Sequence, residues 1–255
     1  MKILNSQQIG NGDKNIIILH GFLGMGDNWK SFAKRLDGVK FKINLVDQRN
    51  HGKSFWDDSM SYADMAKDLL LFCNSNKINK PIIIGHSMGG KTAMKFSLLF
   101  PERVEKLIVV DIAPKKYFPD FKNIIDGYNH LNLDSYKSRS EIDNVYKFFV
   151  EDNFLRSFLM KNIYRDEVGK FKLRINIKVL EKKILEIGSF DHEDLFFDKS
   201  ATFIKGSKSH YILENDKDLI KKYFPKYFLH EVHGAGHWVH YDKPEIFEKI
   251  VKSII

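Results

Sequence analysis

Residues 85–89 read Gly-His-Ser-Met-Gly, between the apolar run Pro81-Ile82-Ile83-Ile84 and the helix-like stretch Lys91–Phe100. A short apolar run of this kind predicts a buried strand, so the pentapeptide must turn strand into helix within a few residues. A turn that tight holds its serine in a strained backbone and exposes the hydroxyl. Side chains at positions 85 and 89 would collide with the neighbouring strand and helix, which is the physical reason for glycine at both. An ordinary Gly-rich strand-to-helix turn accounts for the glycines equally well. The rest of the chain has to discriminate.

Short apolar runs alternate with helical patterns along most of the sequence. Expected strands are Ile3–Ile9, Asn15–His20, Lys42–Asp47, Pro81–Gly85, Lys106–Asp111, Ala201–Gly206 and Tyr227–Val232. Expected helices lie near Asp27–Leu36, Tyr62–Ser75, Ser87–Phe100, Asp216–Phe224 and Pro244–Ile255. This rhythm predicts an α/β fold: a mostly parallel open sheet with helices on both faces. At 255 residues, 43% of them apolar, the chain suits one such domain with a sizeable core.

The rhythm fails between Pro114 and Ser200. That stretch has helical periodicity, no convincing buried strand, and 15 of the 34 aromatic residues, among them Tyr117, Phe118, Phe121, Phe154 and Phe158. We expect residues 115–200 to form a helical cap inserted into a core of residues 1–114 and 201–255. Such an insertion would sit over the carboxyl edge of the sheet, where ligands bind in folds of this class. Most of the aromatics are expected to build the cap's own core.

The net charge of +8 raises the question of nucleic acid. The excess is spread along the chain with no basic tract, and it comes from 34 Lys and only 7 Arg. Base and phosphate recognition leans on arginine's planar fork, so no nucleic-acid partner is expected. The first residues have neither a long apolar stretch nor a cleavage signature, and the longest apolar runs are strand-sized. Neither export nor membrane insertion is expected. Cys73 is the single cysteine, on a helical face with Met65, Leu69 and Phe72. It reads as a packed core thiol in a reducing, cytoplasmic setting.

Four further segments fall where loops would leave strand carboxyl ends: His20–Gly24, Asp47–Ser54, Asp111–Pro114 and His233–Trp238. In a parallel sheet these ends share one rim, so residues distant in sequence can meet Ser87 there. Acyl transfer by a serine needs a base, an acid to orient that base, and donors for the oxyanion. Ser87 is the candidate nucleophile. His237, in a Gly-rich loop after the last strand, is the candidate base, completing a Ser…Asp…His order with Asp111. The N–H groups of Met88 and Phe22 are the candidate oxyanion donors. Leu23, Tyr117 and Trp238 are expected to line the substrate pocket.

Asp111 has competitors for the acid's place. The loop after the expected strand Ala201–Gly206 has Ser209 where an aspartate is common, with Glu214 and Asp216 nearby, although Asp216 resembles a helix N-cap. Asp111 could also do no more than cap the turn that follows it. His233, His237 and His240 raise the possibility of zinc, but they occupy a loop with no acidic partner at metalloprotease spacing and no second cysteine. No metal or other cofactor is expected. Arg49 and His51 have no assignable chemical step and are expected to brace loops.

The segments HGFLG, DQRNHGKS, GHSMGGK, DIAP and GAGHWVH, in this order and spacing, resemble α/β-hydrolase-fold esterases of the bacterial YbfF type. The similarity runs over residues 15–114 and 201–255 and is weaker between them. G-x-S-x-G marks only the superfamily; RNHG together with DIAP is more specific. The resemblance implies a cytoplasmic hydrolase of acyl esters, with acyl thioesters such as acyl-CoA as a second class, needing no cofactor. It maps nucleophile, acid and base to Ser87, Asp111 and His237. Two other functions suit the same scaffold. One is lyase-type proton abstraction, as in the menaquinone-pathway synthase with similar HGFLG and GxSMGG segments; the other is a non-catalytic ligand receptor.

Overall fold

The computed structural model describes residues 2–36, 40–118, 120–190 and 194–255, so small parts of the expected cap lie outside it. Seven strands form the main sheet: β1 (Ser6–Ile9), β2 (Lys14–Leu19), β3 (Phe41–Val46), β4 (Ile82–His86), β5 (Lys106–Val110), β8 (Ala201–Gly206) and β9 (Tyr227–Val232). Their spatial order is β1-β3-β2-β4-β5-β8-β9, and only β1 runs antiparallel to its neighbour. β4 is therefore central and paired on both sides. Its isoleucines are completely buried, and the pleat divides them between the two faces. Ile83 packs with Ile17, Leu107 and Val109, whereas Ile82 and Ile84 pack with Ile16, Ile18 and Ile108.

Helices cover both faces. α1 (Lys30–Ala33) lies on the Ile82 side; α2 (Tyr62–Ser75) and α3 (Met88–Leu99) lie on the other. Ser61 starts α2 by accepting the Asp64 N–H at 3.1 Å, satisfying one of the donors a helix start leaves open. Cys73 is buried on α2 among Leu69, Phe72 and Met94, where burial pushes its thiol up to about 12. Between β5 and β8 come α4 (Lys122–His130), α5 (Arg139–Tyr146), α6 (Asn153–Met160), β6 (Ile163–Arg165), β7 (Phe171–Leu173), α7 (Ile177–Lys182) and α8 (Ile184–Gly188). The core of this insert, built from residues such as Tyr128, Tyr146, Leu159 and Phe171, continues into Leu23, Met60, Tyr62, Met65 and Met88. It thus packs onto the rim bearing Met88. The chain closes with α9 (Lys217–Tyr223), α10 (Val239–Asp242) and α11 (Pro244–Ile254), whose Phe247 and Val251 fill the α1 face.

Two local expectations differ from what is found, and one short helix was not foreseen. The helix expected over Asp27–Leu36 is a 3-10 turn, Gly26–Trp29, followed by the single turn α1. Gly26 is pressed against the backbone of Leu45 and donates its N–H to Asp47 Oδ1 at 2.7 Å, so tertiary contact sets the entry into this segment. The insert holds a two-stranded hairpin, β6 against β7, turned at Gly169 with φ +81°. Three-residue strands are too short to leave a period-2 signature. α10, which places the chain after His237, has only four residues and carries no periodicity either.

Candidate active site

The strand-to-helix turn is as tight as its sequence requires. Ser87 follows directly on β4 with φ +52° and ψ −118°, a region sparsely populated by residues with a side chain, and α3 begins at the next residue. A Cβ at Gly85 would overlap the Gly89 carbonyl, and one at Gly89 would overlap the carbonyls of Leu19 and His20. Both contacts are with backbone and could not be relieved by a rotamer change. The Ser87 N–H donates to Val110 O at 3.0 Å, tying the strained residue to the end of β5.

Asp111 is the next residue of that neighbouring strand's exit, also at positive φ (+52°) and completely buried. Its N–H donates to Ile204 O at 2.9 Å. Its carboxylate accepts the Gly206 N–H at 3.0 Å, the Ser209 hydroxyl, and the His237 Nδ1–H at 2.7 Å. Three donors on one buried carboxylate leave it fixed in place. Asp216, the rival acid, is bound to Lys115 Nζ at 2.6 Å and to the Leu213 N–H at 2.8 Å. Glu214 pairs with Lys217 on the surface. Asp111 is thus the carboxylate of the three that meets His237.

His237 is held from three directions. Asp111 takes its Nδ1–H, the Tyr211 ring stacks on it at 3.8 Å between centroids, and its carbonyl accepts the His86 Nε2–H at 2.9 Å. With Nδ1 carrying the proton, Nε2 is left as an acceptor. His86, buried beneath and crowded by His237 and His240, has its imidazole pushed well below the usual range, so it remains a neutral donor. Sequence reasoning missed Ser209 as an Asp111 partner, and also Tyr211 and His86. Ser209 was noticed only as the residue in a common aspartate position; nothing local marks the other two.

Ser87 opens on a cavity of about 280 Å³ whose walls include Phe22, Met88, Ile112, Tyr117, Ile187 and Tyr211. Tyr211 thus joins the His237 ring to the cavity of Ser87. Phe22 and Met88 line the same cavity as the serine. Met88 is the first residue of α3, where N–H groups lack intrahelical acceptors. The loop His20–Gly24 is locked by two neutral histidines. His51 donates Nδ1–H to Arg49 O at 2.9 Å and accepts the Leu23 N–H on Nε2 at 3.2 Å. His20 donates Nδ1–H to Gly21 O at 2.8 Å and accepts the Gln48 N–H at 3.0 Å. Burial pushes His51 down to about 3 and lowers His20 as well. Arg49 forms a two-pronged pair with Asp68, at 2.6 and 2.8 Å. The observed contacts of Arg49 and His51 are those of braces.

Two of the three residues expected in the pocket lie elsewhere. Tyr117 is a wall of the cavity. Leu23, at φ +57°, is turned into the core of the insert and is 2% exposed. Trp238 is drawn away by other aromatics: it packs on Phe158 at 4.4 Å and lines a separate groove of about 440 Å³ with His240 and Tyr241. The histidines considered for zinc do not converge. His237 Nδ1 is engaged by Asp111, His240 stacks on Trp29 at 3.9 Å, and His233 is exposed. Among the described residues no group of three His, Cys, Asp or Glu side chains is placed to hold a metal ion.

Known proteins share both this layout and the sequence behind it. The solved structure of a marine microorganism esterase superposes with a TM-score of 0.96 at 41% identity, each chain covered in full. Esterase YbfF of Escherichia coli is 32% identical over 241 residues, covering 94% of this chain and 92% of its own. The sn-1-specific diacylglycerol lipase ABHD11 of Xenopus laevis is 32% identical over 247 residues, covering 94% and 79% respectively. The family model for the alpha/beta hydrolase fold matches residues 14–244, which takes in every strand that carries the rim. A strained serine after the central parallel strand is what that fold builds, and this chain belongs to the α/β-hydrolase family.

Proposed function

We propose that the protein hydrolyses small carboxylic esters through an acyl-enzyme on Ser87, with His237 as base and Asp111 as orienting acid. The observation that carries this reading is the 2.7 Å bond from His237 Nδ1–H to the buried Asp111 carboxylate, on the rim that bears Ser87. That bond sets the tautomer, leaving Nε2 to take the serine proton. The Ser87 oxygen attacks the acyl carbon as its proton passes to Nε2, and the imidazolium formed is stabilised by Asp111. The developing oxyanion accepts the N–H groups of Met88 and Phe22. Collapse releases the alcohol, which takes the proton from His237. A water molecule, activated by the same nitrogen, then attacks the acyl-enzyme and frees the acid.

The names of the relatives support an ester as substrate, since they include esterases and lipases. The same residues suit a thioester, whose leaving group is a thiol, and acyl-CoA is the second substrate class. In this reading the insert, residues 115–200, acts as a cap over Ser87, and its aromatic side chains favour short to medium apolar acyl groups. No helix among the described residues is long and apolar enough to cross a membrane. The single buried cysteine suits a cytoplasmic enzyme.

The test is turnover of purified protein on a panel of aryl esters and acyl-CoA thioesters, with Ser87→Ala alongside. Hydrolysis that disappears in folded Ser87→Ala is the expected result. Turnover that persists in that variant sinks the serine mechanism.

A further inference from the structure

Lys91 follows Ser87 by four residues, one turn along α3, so the two share a helix face. No hydrolytic step uses its amine. The residue is 1% exposed, and lysines are almost never buried so completely unless their charge is matched. Its Nζ donates to Gly188 O at 2.7 Å and to Ser189 O at 2.8 Å. The ring centroids of Tyr117 and Tyr62 lie 4.7 and 5.6 Å away. Burial pushes the ammonium down to about 7. The neutral amine retains two N–H donors, enough for both carbonyls, so this attachment does not depend on the charge.

The acceptors are the end of α8, where carbonyls have no intrahelical donor. Ile187 O accepts the Tyr62 hydroxyl at 2.6 Å, and Gly188 O also accepts the Tyr117 N–H at 2.8 Å. Three consecutive carbonyls of the insert are thus held by donors from α2, from α3 and from the chain after β5. Ile187 and Gly188 are themselves walls of the cavity that Ser87 opens on, as are Lys91, Tyr62 and Tyr117. The wall and its fastening are one structure.

We infer that Lys91 is a specificity-determining residue, which fixes one wall of the acyl cavity by pinning Gly188 and Ser189 and thereby limits the length of acyl chain accepted. The inference rests on the ester-hydrolase reading of Ser87. The donors of Lys91 are committed to the insert rather than aimed at substrate. The apolar walls are Phe22, Ile112, Phe121 and Ile187, and Asp120, which also lines the cavity, would repel an acyl carboxylate. The substrate class is therefore an uncharged, apolar acyl group. An acyl chain ending in a carboxylate gains nothing from this lysine.

The experiment measures kcat/KM for neutral aryl esters from acetate to decanoate, and for one ester with a carboxylate-tailed acyl group. It compares wild type, Lys91→Met, which retains the stem and loses the donors, and Tyr62→Phe, which removes only the hydroxyl on Ile187. Wild-type turnover on the series tests the ester reading by itself, before any variant is compared. The expected result is a shift of the Lys91→Met optimum to longer chains, with a relative gain of about fourfold for each methylene newly admitted. Tyr62→Phe should shift the same way by less, and it carries the test alone if Lys91→Met does not fold. Profiles superimposable on wild type overturn the inference. So does an equal loss across the series, which would mean the lysine supports Ser87 instead. A selective loss of the carboxylate-tailed ester would overturn it as well, by assigning Lys91 to substrate charge.

Discussion

The rim of the sheet and the insert above it are held by different kinds of bond. On the rim, backbone does the positioning. Ser87 and Asp111 both sit at positive φ, each N–H continues the ladder to the adjacent strand, and glycines clear the turn. Apart from backbone bonds such as Asn176 N–H to Asn50 O at 3.0 Å, the insert is attached mainly by side chains reaching across to backbone carbonyls: Lys91 to Gly188 and Ser189, Tyr62 to Ile187, and Asn162 back to Leu23 O at 2.8 Å. Backbone strain allows one geometry, whereas a side-chain attachment can lengthen or let go. Damage to the rim should therefore appear in the chemical step, and damage to the attachments in substrate choice.

The largest effect should come from Ser87→Ala, with kcat falling on the order of 10³-fold or more while the thermal midpoint stays close to wild type. A comparable loss from any insert substitution would break the division. Asp111→Asn comes next, at about 10²-fold or more in kcat, because an amide cannot stabilise the imidazolium. Asp216→Asn is the control: it loses the Lys115 pair, so it should lower stability modestly and spare kcat. If Asp216→Asn has the more severe kinetics, the late loop supplies the acid.

Gly89→Ala probes the rim through backbone alone. The new methyl meets the carbonyls of Leu19 and His20, neither of which can rotate away, and the overpacking should cost about 1–3 kcal/mol. A thermal or urea midpoint equal to wild type would count against the close approach. In the insert, Asn162→Ala removes the bond to Leu23 O and leaves a buried carbonyl short of a donor, at about 1–2 kcal/mol. Its kinetic effect should fall on KM more than on kcat.

Acid provides the most graded comparison. His51 and His240 are depressed by burial from 6.5 to about 3. As pH falls below 6.5 the unfolded chain takes up protons that the folded state refuses. The stability these residues confer is therefore complete above pH 6.5 and drains away towards pH 3. His51→Gln retains an acceptor for the Leu23 N–H and should flatten that slope by about one proton, roughly 1.4 kcal/mol per pH unit. Urea midpoints for the two proteins between pH 6.5 and 4 measure it, and parallel slopes would refute a neutral His51.

Much of the rim was legible in the chain because its constraints are short-range. A strand, a one-residue turn and a helix in immediate succession leave the serine no other conformation, and the glycines at 85 and 89 follow from it. Asp111 and His237 could be placed on the same rim because each follows the carboxyl end of a strand in a parallel sheet, Asp111 directly and His237 in the loop that leaves the last strand. What the sequence left open was which carboxylate His237 meets. The answer depends on β5 pairing with β8, which brings Gly206 and Ser209 to Asp111 across separations of 95 and 98 residues. The pocket was the least legible part. Leu23 turns away through a left-handed backbone, Trp238 is drawn off by Phe154 and Phe158, and Lys91 finds its acceptor 97 residues along the chain. Local backbone geometry is written in neighbouring residues, so sequence alone determined the serine turn and the strands of a mostly parallel sheet. Contacts across the fold leave no periodic trace, so only tertiary structure decided which carboxylate meets His237, the walls of the cavity and what fastens them.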